Sequence, residues 1–436
     1  MSNNETKRKV ELVKSILRKL HEGAKLEDLK EEFRQISLTI TPAELVMIEQ
    51  QLISEGIQIN EVLRLCDLHV QLFRDYLIDR ELKDVPKGHP LDLLVRENEL
   101  ILKWSEALGM YANSILTSPN ADIGRTYEQL VDLINNLRGL RLHYRKIQML
   151  IFPYLERRGL IAVPRVLWGR EDQVIVKIRK LRELLKDSGS KVDVVKDVAS
   201  KSLEMSNEVK ELVFRENKIL FPAVWALFSE GEWAAIAEIA KDIGYLIPVD
   251  VEWVTEAKPV MPYEIVPKIS DEEVRKLPTE FRELALKKLE PDTYNIVREG
   301  DIKLETGFLS KEEVDAVLRS LPLEITYADE NDRVKYYTES KFSKGFVRTK
   351  TILGRRLLFC HPPRLEGIVK VNVERIKKGD EEFREYWTMV GDRIIRVIVT
   401  SVKSKEGKYL GTLEMVEDLT DVVRNSSEIM KKILIL

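Results

Sequence analysis

The sequence predicts a multidomain chain of α plus α+β class: an N-terminal helical module, a four-helix bundle and a C-terminal domain built on an antiparallel sheet. Three observations carry this. Apolar residues recur at helical spacing as far as about Tyr245, a Phe-Pro motif occurs twice inside that helical part, and after Leu321 the apolar period changes to two. The length of 436 residues fits about three domains, and 44% apolar residues supply each with a core.

From Lys7 to about Lys83 the helical spacing is carried by Val13, Ile16, Leu17 and Leu20, then Leu45, Ile48, Leu52 and Ile53, then Val62, Leu63, Leu65, Val70, Leu72 and Phe73. Thr41 before Pro42 reads as a helix N-cap with proline at the first helical position. This module, residues 1–83, ends at the polar joint Asp84-Val-Pro-Lys-Gly88. Residues 84–247 form the bundle. There Gln148-Met-Leu-Ile-Phe152-Pro153 matches Asn217-Lys-Ile-Leu-Phe221-Pro222, each with an amide side chain four positions before the phenylalanine. Two helix pairs separated by Gly159 to Pro164 make an up-down bundle.

Residues 248–310, with prolines at 248, 259, 262, 267, 278 and 291, read as an acidic linker segment that packs on something rather than a free coil. Residues 311–425 form the sheet domain: LPLEITYADENDRVKYY gives two strands around a polar turn. Val347 to Lys378 gives short helices, and three more strands turn at Gly391-Asp392 and Glu406-Gly407. Such a sheet leaves room for a ligand under its helices. The tail 426–436 places Ile429, Met430, Ile433, Leu434 and Ile435 on an apolar side suited to docking.

Composition excludes several function classes. Lys+Arg 70 against Asp+Glu 73 gives a net charge of −3 without blocks, which is not the surface of a nucleic-acid or membrane binder. The longest uncharged apolar run, Ile219 to Phe228, has ten residues and contains Pro222, well short of the roughly 20 a membrane span needs. The polar, charged start and two cysteines nearly 300 positions apart point to a cytoplasmic, reducing setting. No phosphate loop, dinucleotide fingerprint, GxSxG elbow or HExxH motif occurs, so no enzyme class is indicated.

The soft ligands are few: five histidines and two cysteines, the cysteines standing in Cys66-Asp-Leu-His69 and Cys360-His361-Pro-Pro. Cys66 and His69 share one helix face, and two donors cannot close a tetrahedral metal site; core packing is the favoured role. For Cys360 and His361 two roles stay open. One is a buried cysteine beside a histidine that caps a turn stiffened by Pro362 and Pro363. The other is an axial haem ligand, or a redox-reactive thiol whose pKa is lowered by Arg355, Arg356 or Arg364.

The order of modules resembles a prokaryotic family that joins a domain of unknown function (number 438), a hemerythrin-like four-helix bundle and a C-terminal PAS domain. The first match rests on Leu20-His21-Glu22-Gly23 and Leu65-Cys66-Asp67-Leu-His69. The second rests on Gly88-His89-Pro90, Glu97-Asn98, His143-Tyr144 and the two Phe-Pro pairs. The third rests on LPLEITYADENDRVKYY, Arg348-Thr-Lys350, Gly354-Arg355, Cys360-His361-Pro362-Pro363, Tyr409-Leu-Gly-Thr-Leu-Glu414 and Asp418-Leu-Thr420.

The resemblance implies a di-iron bundle with inward histidines and bridging carboxylates, whose pattern His89 and His143 match; His89, His143, Asp92, Glu97 and Glu171 are the candidate metal ligands of a mononuclear or mixed carboxylate site. The resemblance also marks departures. Asp92 and Glu171 stand at histidine positions, Gln148 and Asn217 at glutamate positions, and Leu212 where the internal repeat places the counterpart of His143. A neutral amide is a poor iron ligand, so the bundle is expected to be structural and to hold no iron. In the PAS-like domain Cys360, His361, Arg348 and Arg355 are the candidate residues for haem or a small molecule.

The favoured function is a non-enzymatic cytoplasmic sensor or adaptor whose PAS-like domain recognises a small ligand, a redox state or a protein, with a protein partner or homodimer expected. Two alternatives stay open: a metal- or haem-containing protein that binds oxygen, nitric oxide or peroxide, and a scaffold for a large assembly.

Overall fold

Helix α1 (Pro90–Thr117) begins where proline sits at the first helical position, and Asp92 in its first turn accepts a hydrogen bond from the Gly88 N–H at 2.9 Å. The computed structural model describes residues 82–117, 123–187, 192–267, 291–338 and 346–433, with scattered positions between 11 and 29. His21, Thr41, Cys66, His69 and the periodic run from Leu45 to Phe73 lie outside the described residues.

The second strut of the bundle is α2 (Ile123–Asn136), a 3₁₀ turn, α3 (Leu140–Lys146), a π turn (Ile147–Ile151) and α4 (Phe152–Arg157). The third is α5 (Ala162–Asp187). The fourth is α6 (Val192–Arg215), a second π turn (Glu216–Leu220) and α7 (Phe221–Leu227). The two π turns are the structural form of the sequence repeat. Each precedes a Phe-Pro pair, and a proline inside a helix lacks the N–H and presses on the carbonyl four residues back, which a locally widened turn relieves.

Helices α1 and α6 pack closely through small residues. The Ser105 and Ser206 hydroxyls each donate to the other's backbone carbonyl at 2.7 Å, and a Cβ at Gly109 would stand 2.7 Å from Ser206 Oγ. Helix α8 (Glu230–Ile243) starts with a Ser229/Glu232 capping box, and the same Glu232 takes a two-pronged ion pair from Arg158 at 2.7 and 2.9 Å.

The described residues 248–267 of the proline-rich stretch pack on the bundle. The Tyr154 hydroxyl donates to the Val260 carbonyl at 2.7 Å, and the Val260 N–H donates to Gly231 O at 3.0 Å. A Cβ on Gly88, whose φ is +80°, would lie 2.3 Å from Val251 O, so only glycine lets the strap pass.

The chain divides into two units, residues 1–295 and 296–436. The second contains a small hairpin of β1 (Ile302–Lys303) and β2 (Phe308–Leu309), then helix α9 (Lys311–Ser320) capped by Ser310 and Glu313. A five-stranded antiparallel sheet follows in the order β4-β3-β7-β6-β5. Its strands are β3 (Glu324–Asp329), β4 (Val334–Tyr337), β5 (Phe383–Val390), β6 (Arg393–Lys403) and β7 (Tyr409–Asp418). Gly391 and Gly407, at φ +64° and +80°, turn the two hairpins as the sequence indicates. Two 3₁₀ turns and helix α10 (Pro363–Lys378) cover one face, where Ala328, Leu357 and Val373 form a small apolar cluster with Val369. Short helices α11 (Thr420–Arg424) and α12 (Ser426–Lys432) end the described chain.

Candidate functional site

The bundle encloses ionisable groups with no solvent exposure: Glu97 from α1, His143 from α3, Glu171 from α5 and Glu216 from the second π turn. His143 lies between two carboxylates, Nδ1 at 2.7 Å from Glu97 Oε2 and Nε2 at 3.0 Å from Glu216 Oε2. Lys146, one helical turn on from His143, donates to Glu97 Oε1 at 2.9 Å. Asn98 donates from one amide nitrogen to Glu216 Oε2 at 2.8 Å and to Asn217 Oδ1 at 2.9 Å. Gln148 donates to Glu171 Oε2 at 2.7 Å.

Burial alone would lower the His143 pKa, but Glu216, through its charge and hydrogen bond, and then Glu97 raise it to about 9. The ring is therefore an imidazolium at neutral pH, with both nitrogens donating. Burial pushes Glu97 upward, and His143 and Lys146 outweigh it, so the Glu97 pKa is lowered. Burial and then the Glu216 charge lift Glu171 to about 8, against Gln148 and His143, so this carboxyl keeps its proton. Imidazolium and ammonium occupy the positive positions of the cluster.

This donor set does not match a pair of irons. Such a centre needs several neutral imidazoles with free lone pairs. His143 is the one histidine in the cluster, and both its nitrogens are committed to carboxylates. Lys146 occupies a Glu97 oxygen that a bridging carboxylate would give to metal. Among the described residues no three His, Cys, Asp or Glu side chains are grouped to hold an ion.

His89 and Asp92 stand apart from this cluster. The His89 ring, 2% exposed, meets the edges or faces of Trp253, Trp233 and Trp225 at centroid distances of 4.6, 4.8 and 5.1 Å. Its Nδ1 accepts from the Leu91 N–H at 3.1 Å, and desolvation lowers its pKa to about 4, so it is neutral. Asp92 caps the helix start through Gly88. The structure thus joins Glu97, His143 and Glu171 and leaves His89 and Asp92 in a separate aromatic setting. Leu212, at the repeat position of His143, lines a cleft of about 240 Å³ between α5 and α6 together with Arg170, Gln173, Val174 and Arg215.

Sequence reasoning passed over Glu216 and Lys146. Glu216 adjoins Asn217 in the repeat, and Lys146 is three residues after His143, so both positions were readable once the π turn is known. The three tryptophans around His89 come from distant segments, and no local signal pairs them.

In the sheet domain Glu324, Thr326 and Ala328 alternate onto the face that α10 covers, and Glu414 stands opposite Thr326 in register. Arg348, 9% exposed in its side chain, pairs with Glu324 and donates to Thr326 Oγ1 at 2.8 Å and to Glu414 Oε1 at 2.9 Å. This candidate residue is bound within the chain to two carboxylates. The Cys360 thiol points to Arg356 O at 3.7 Å, and His361 Nδ1 donates to Leu357 O at 3.0 Å, a turn-capping contact. Cys360 is exposed as a residue, yet desolvation of its sulfur raises its pKa, opposed by Arg355. Desolvation thus outweighs the neighbouring arginines at this sulfur. Arg348, Glu324 and Glu414 give this face an ionic centre.

The opposite face of the sheet exposes Phe383, Trp387 and Met389 along edge strand β5, at 55%, 53% and 65%. No helix among the described residues is long and apolar enough to cross a membrane.

Three family models match the chain: a family of unknown function, DUF438, over residues 13–79; the hemerythrin HHE cation binding domain over residues 89–224; and a PAS domain over residues 314–420. No curated protein matches. Among solved structures, a C-terminal domain from Streptococcus mutans is 28% identical over 29% of this chain and 98% of that one, with a TM-score of 0.27. A sensory box sensor histidine kinase from Vibrio cholerae is 13% identical over 24% of this chain and 88% of that one, with a TM-score of 0.20. The chain therefore combines a DUF438 segment, a hemerythrin-type helical bundle and a C-terminal PAS domain, the make-up of a sensor or signalling protein.

Proposed function

We propose that this chain is a non-enzymatic cytoplasmic sensor or adaptor in which the PAS domain takes the input and the bundle, free of iron, relays or presents it. One observation carries the iron-free part: the His143 imidazolium is clamped between Glu97 and Glu216 while Lys146 takes the second Glu97 oxygen. Two cations already lie against the carboxylates of this cluster, His143 on Glu97 and Glu216 and Lys146 on Glu97. The PAS input is a polar small molecule or a protein surface, since the covered sheet face centres on Arg348, Glu324 and Glu414.

Elemental analysis of the full-length protein after iron-supplemented expression tests this. The expected content is below about one iron in ten chains, where a di-iron bundle requires two per chain. Two irons per chain that disappear in His143→Ala would overturn the proposal.

A further inference from the structure

We propose that residues 244–253 form a releasable latch on the bundle and that Glu97 is its catch, so that rearrangement of the buried cluster frees the chain leading out of the bundle. The two oxygens of Glu97 are divided between the two structures. Oε2 meets His143 Nδ1 at 2.7 Å, and Oε1 accepts from Lys146 at 2.9 Å and from the Leu246 N–H at 2.8 Å. Lys146 continues onto the latch, donating to Gly244 O at 2.8 Å and standing 5.0 Å from the centre of the Tyr245 ring. Three consecutive latch residues are thus held by two side chains of the cluster.

A carboxylate is planar and rigid, so one that turns to follow a displaced His143 carries Oε1 away from Leu246 and Lys146. A second attachment is half-buried Trp253, whose ring meets buried, neutral His89 at 4.6 Å beside the Gly88 crossing. Two ion pairs, Arg96 with Asp250 at 3.6 Å and Lys241 with Glu252 at 3.1 Å, are open to solvent and of small worth. Tyr245 and Leu246 also pack on the bundle core, with Leu246 against Gly139, so the polar part of the attachment is what Glu97 and Lys146 supply, and both belong to the cluster. Segments held by few buried contacts are the ones that open locally without global unfolding.

The latch rests on the iron-free cluster proposed above, and iron content measured on the same sample tells failure of that proposal from failure of this one. Amide hydrogen exchange on the full-length protein decides it. In His143→Gln the Leu246 amide is expected to exchange at least about tenfold faster, and protease cleavage to appear within residues 245–253. The amides around Ser105 and Ser206 should keep their protection. Coupling is reciprocal, so Leu246→Pro, which removes the N–H that Glu97 accepts, is expected to shift the ring-nitrogen resonances of His143. Five histidines in the chain make that signal assignable. Wild-type protection at Leu246 in a folded His143→Gln, or unmoved His143 resonances in Leu246→Pro, would overturn the latch. Leu246→Pro carries the decision where the first variant does not fold.

Discussion

The bundle centre and the covered face of the PAS sheet solve the same electrostatic problem with different parts. In the first, His143 lies between Glu97 and Glu216; in the second, Arg348 lies between Glu324 and Glu414. The bundle group is wholly buried on helices whose apolar core draws on every strut, whereas Arg348 reaches from a loop onto a sheet whose apolar cluster is Ala328, Leu357 and Val373. Its partner Glu414 keeps a side-chain exposure of 20%. The cation also differs in kind, since imidazole gains and loses its proton near neutral pH and guanidinium does not. A network with no solvent route is part of the fold. One at a partly open face can exchange a partner for a ligand.

Removing one member of each network exposes the difference most strongly. Glu97→Leu leaves His143, Lys146 and the Leu246 N–H without their shared acceptor in a dry core, and breaking a buried pair in this way costs about 3–5 kcal/mol. Arg348→Met removes the cation beside Glu324, but Glu324 keeps the Phe346 N–H at 3.2 Å and Glu414 can turn to water, so about 1–3 kcal/mol is expected. Denaturant titration followed by separate probes of the two units measures both. Equal losses would erase the distinction drawn between the two sites.

Proton binding separates the regions next. The His143 pKa is raised from 6.5 to about 9, so its contribution of about 3 kcal/mol is complete below pH 6.5 and is lost as pH rises through 9. Glu171, raised from 4.5 to about 8, acts in the same direction: its stabilisation is complete below pH 4.5 and fades as pH climbs through 8. His89 works oppositely. Lowered from 6.5 to about 4, it supplies stability above pH 6.5 that is lost as pH falls through 4. Above pH 6.5 His143 and Glu171 act together and the bundle should weaken as pH rises, while between pH 4.5 and 6.5 Glu171 and His89 oppose each other. His143→Gln and Glu171→Gln should flatten the alkaline limb, and His89→Phe should leave a bundle that gains stability as pH falls through 6.5. Unfolding midpoints between pH 4 and 9.5 provide the measurement.

The two domain types were legible because each has a strong period: helical spacing through the bundle, alternation through β3 to β7, and turn glycines at 391 and 407. The cluster was half legible. Glu97, His143 and Glu171 stand in sequence motifs, but the amides Gln148 and Asn217 drew attention away from Glu216, which a regular helix would not place together with its neighbour around Asn98. The π turn that does so follows from proline at 222, a long step from local pattern to geometry. Lys146 looked like one of many surface lysines until its burial at 2% exposure put it inside. The His89 setting was illegible, since Trp225, Trp233 and Trp253 meet only after the strap folds back.

Cys360 gives the smallest and most discriminating effect. Desolvation raises its thiol pKa, Arg355 pulls it down, Glu414 pushes it up and Arg348 pulls it down, so the PAS arginines have not made a reactive thiolate. Iodoacetamide at pH 7.5 should therefore label Cys360 a few-fold more slowly than free cysteine, although the residue is exposed. Peptide mapping reads it separately from Cys66. Arg355→Gln should slow labelling further and Glu414→Gln should speed it, because each alters one charge near the sulfur and leaves the fold contacts of Cys360 in place. Labelling faster than free cysteine would mean that the arginines win. The same face would then be a redox-sensing surface, and the Arg348 pairings would serve to hold charge beside a thiolate rather than to meet a polar partner.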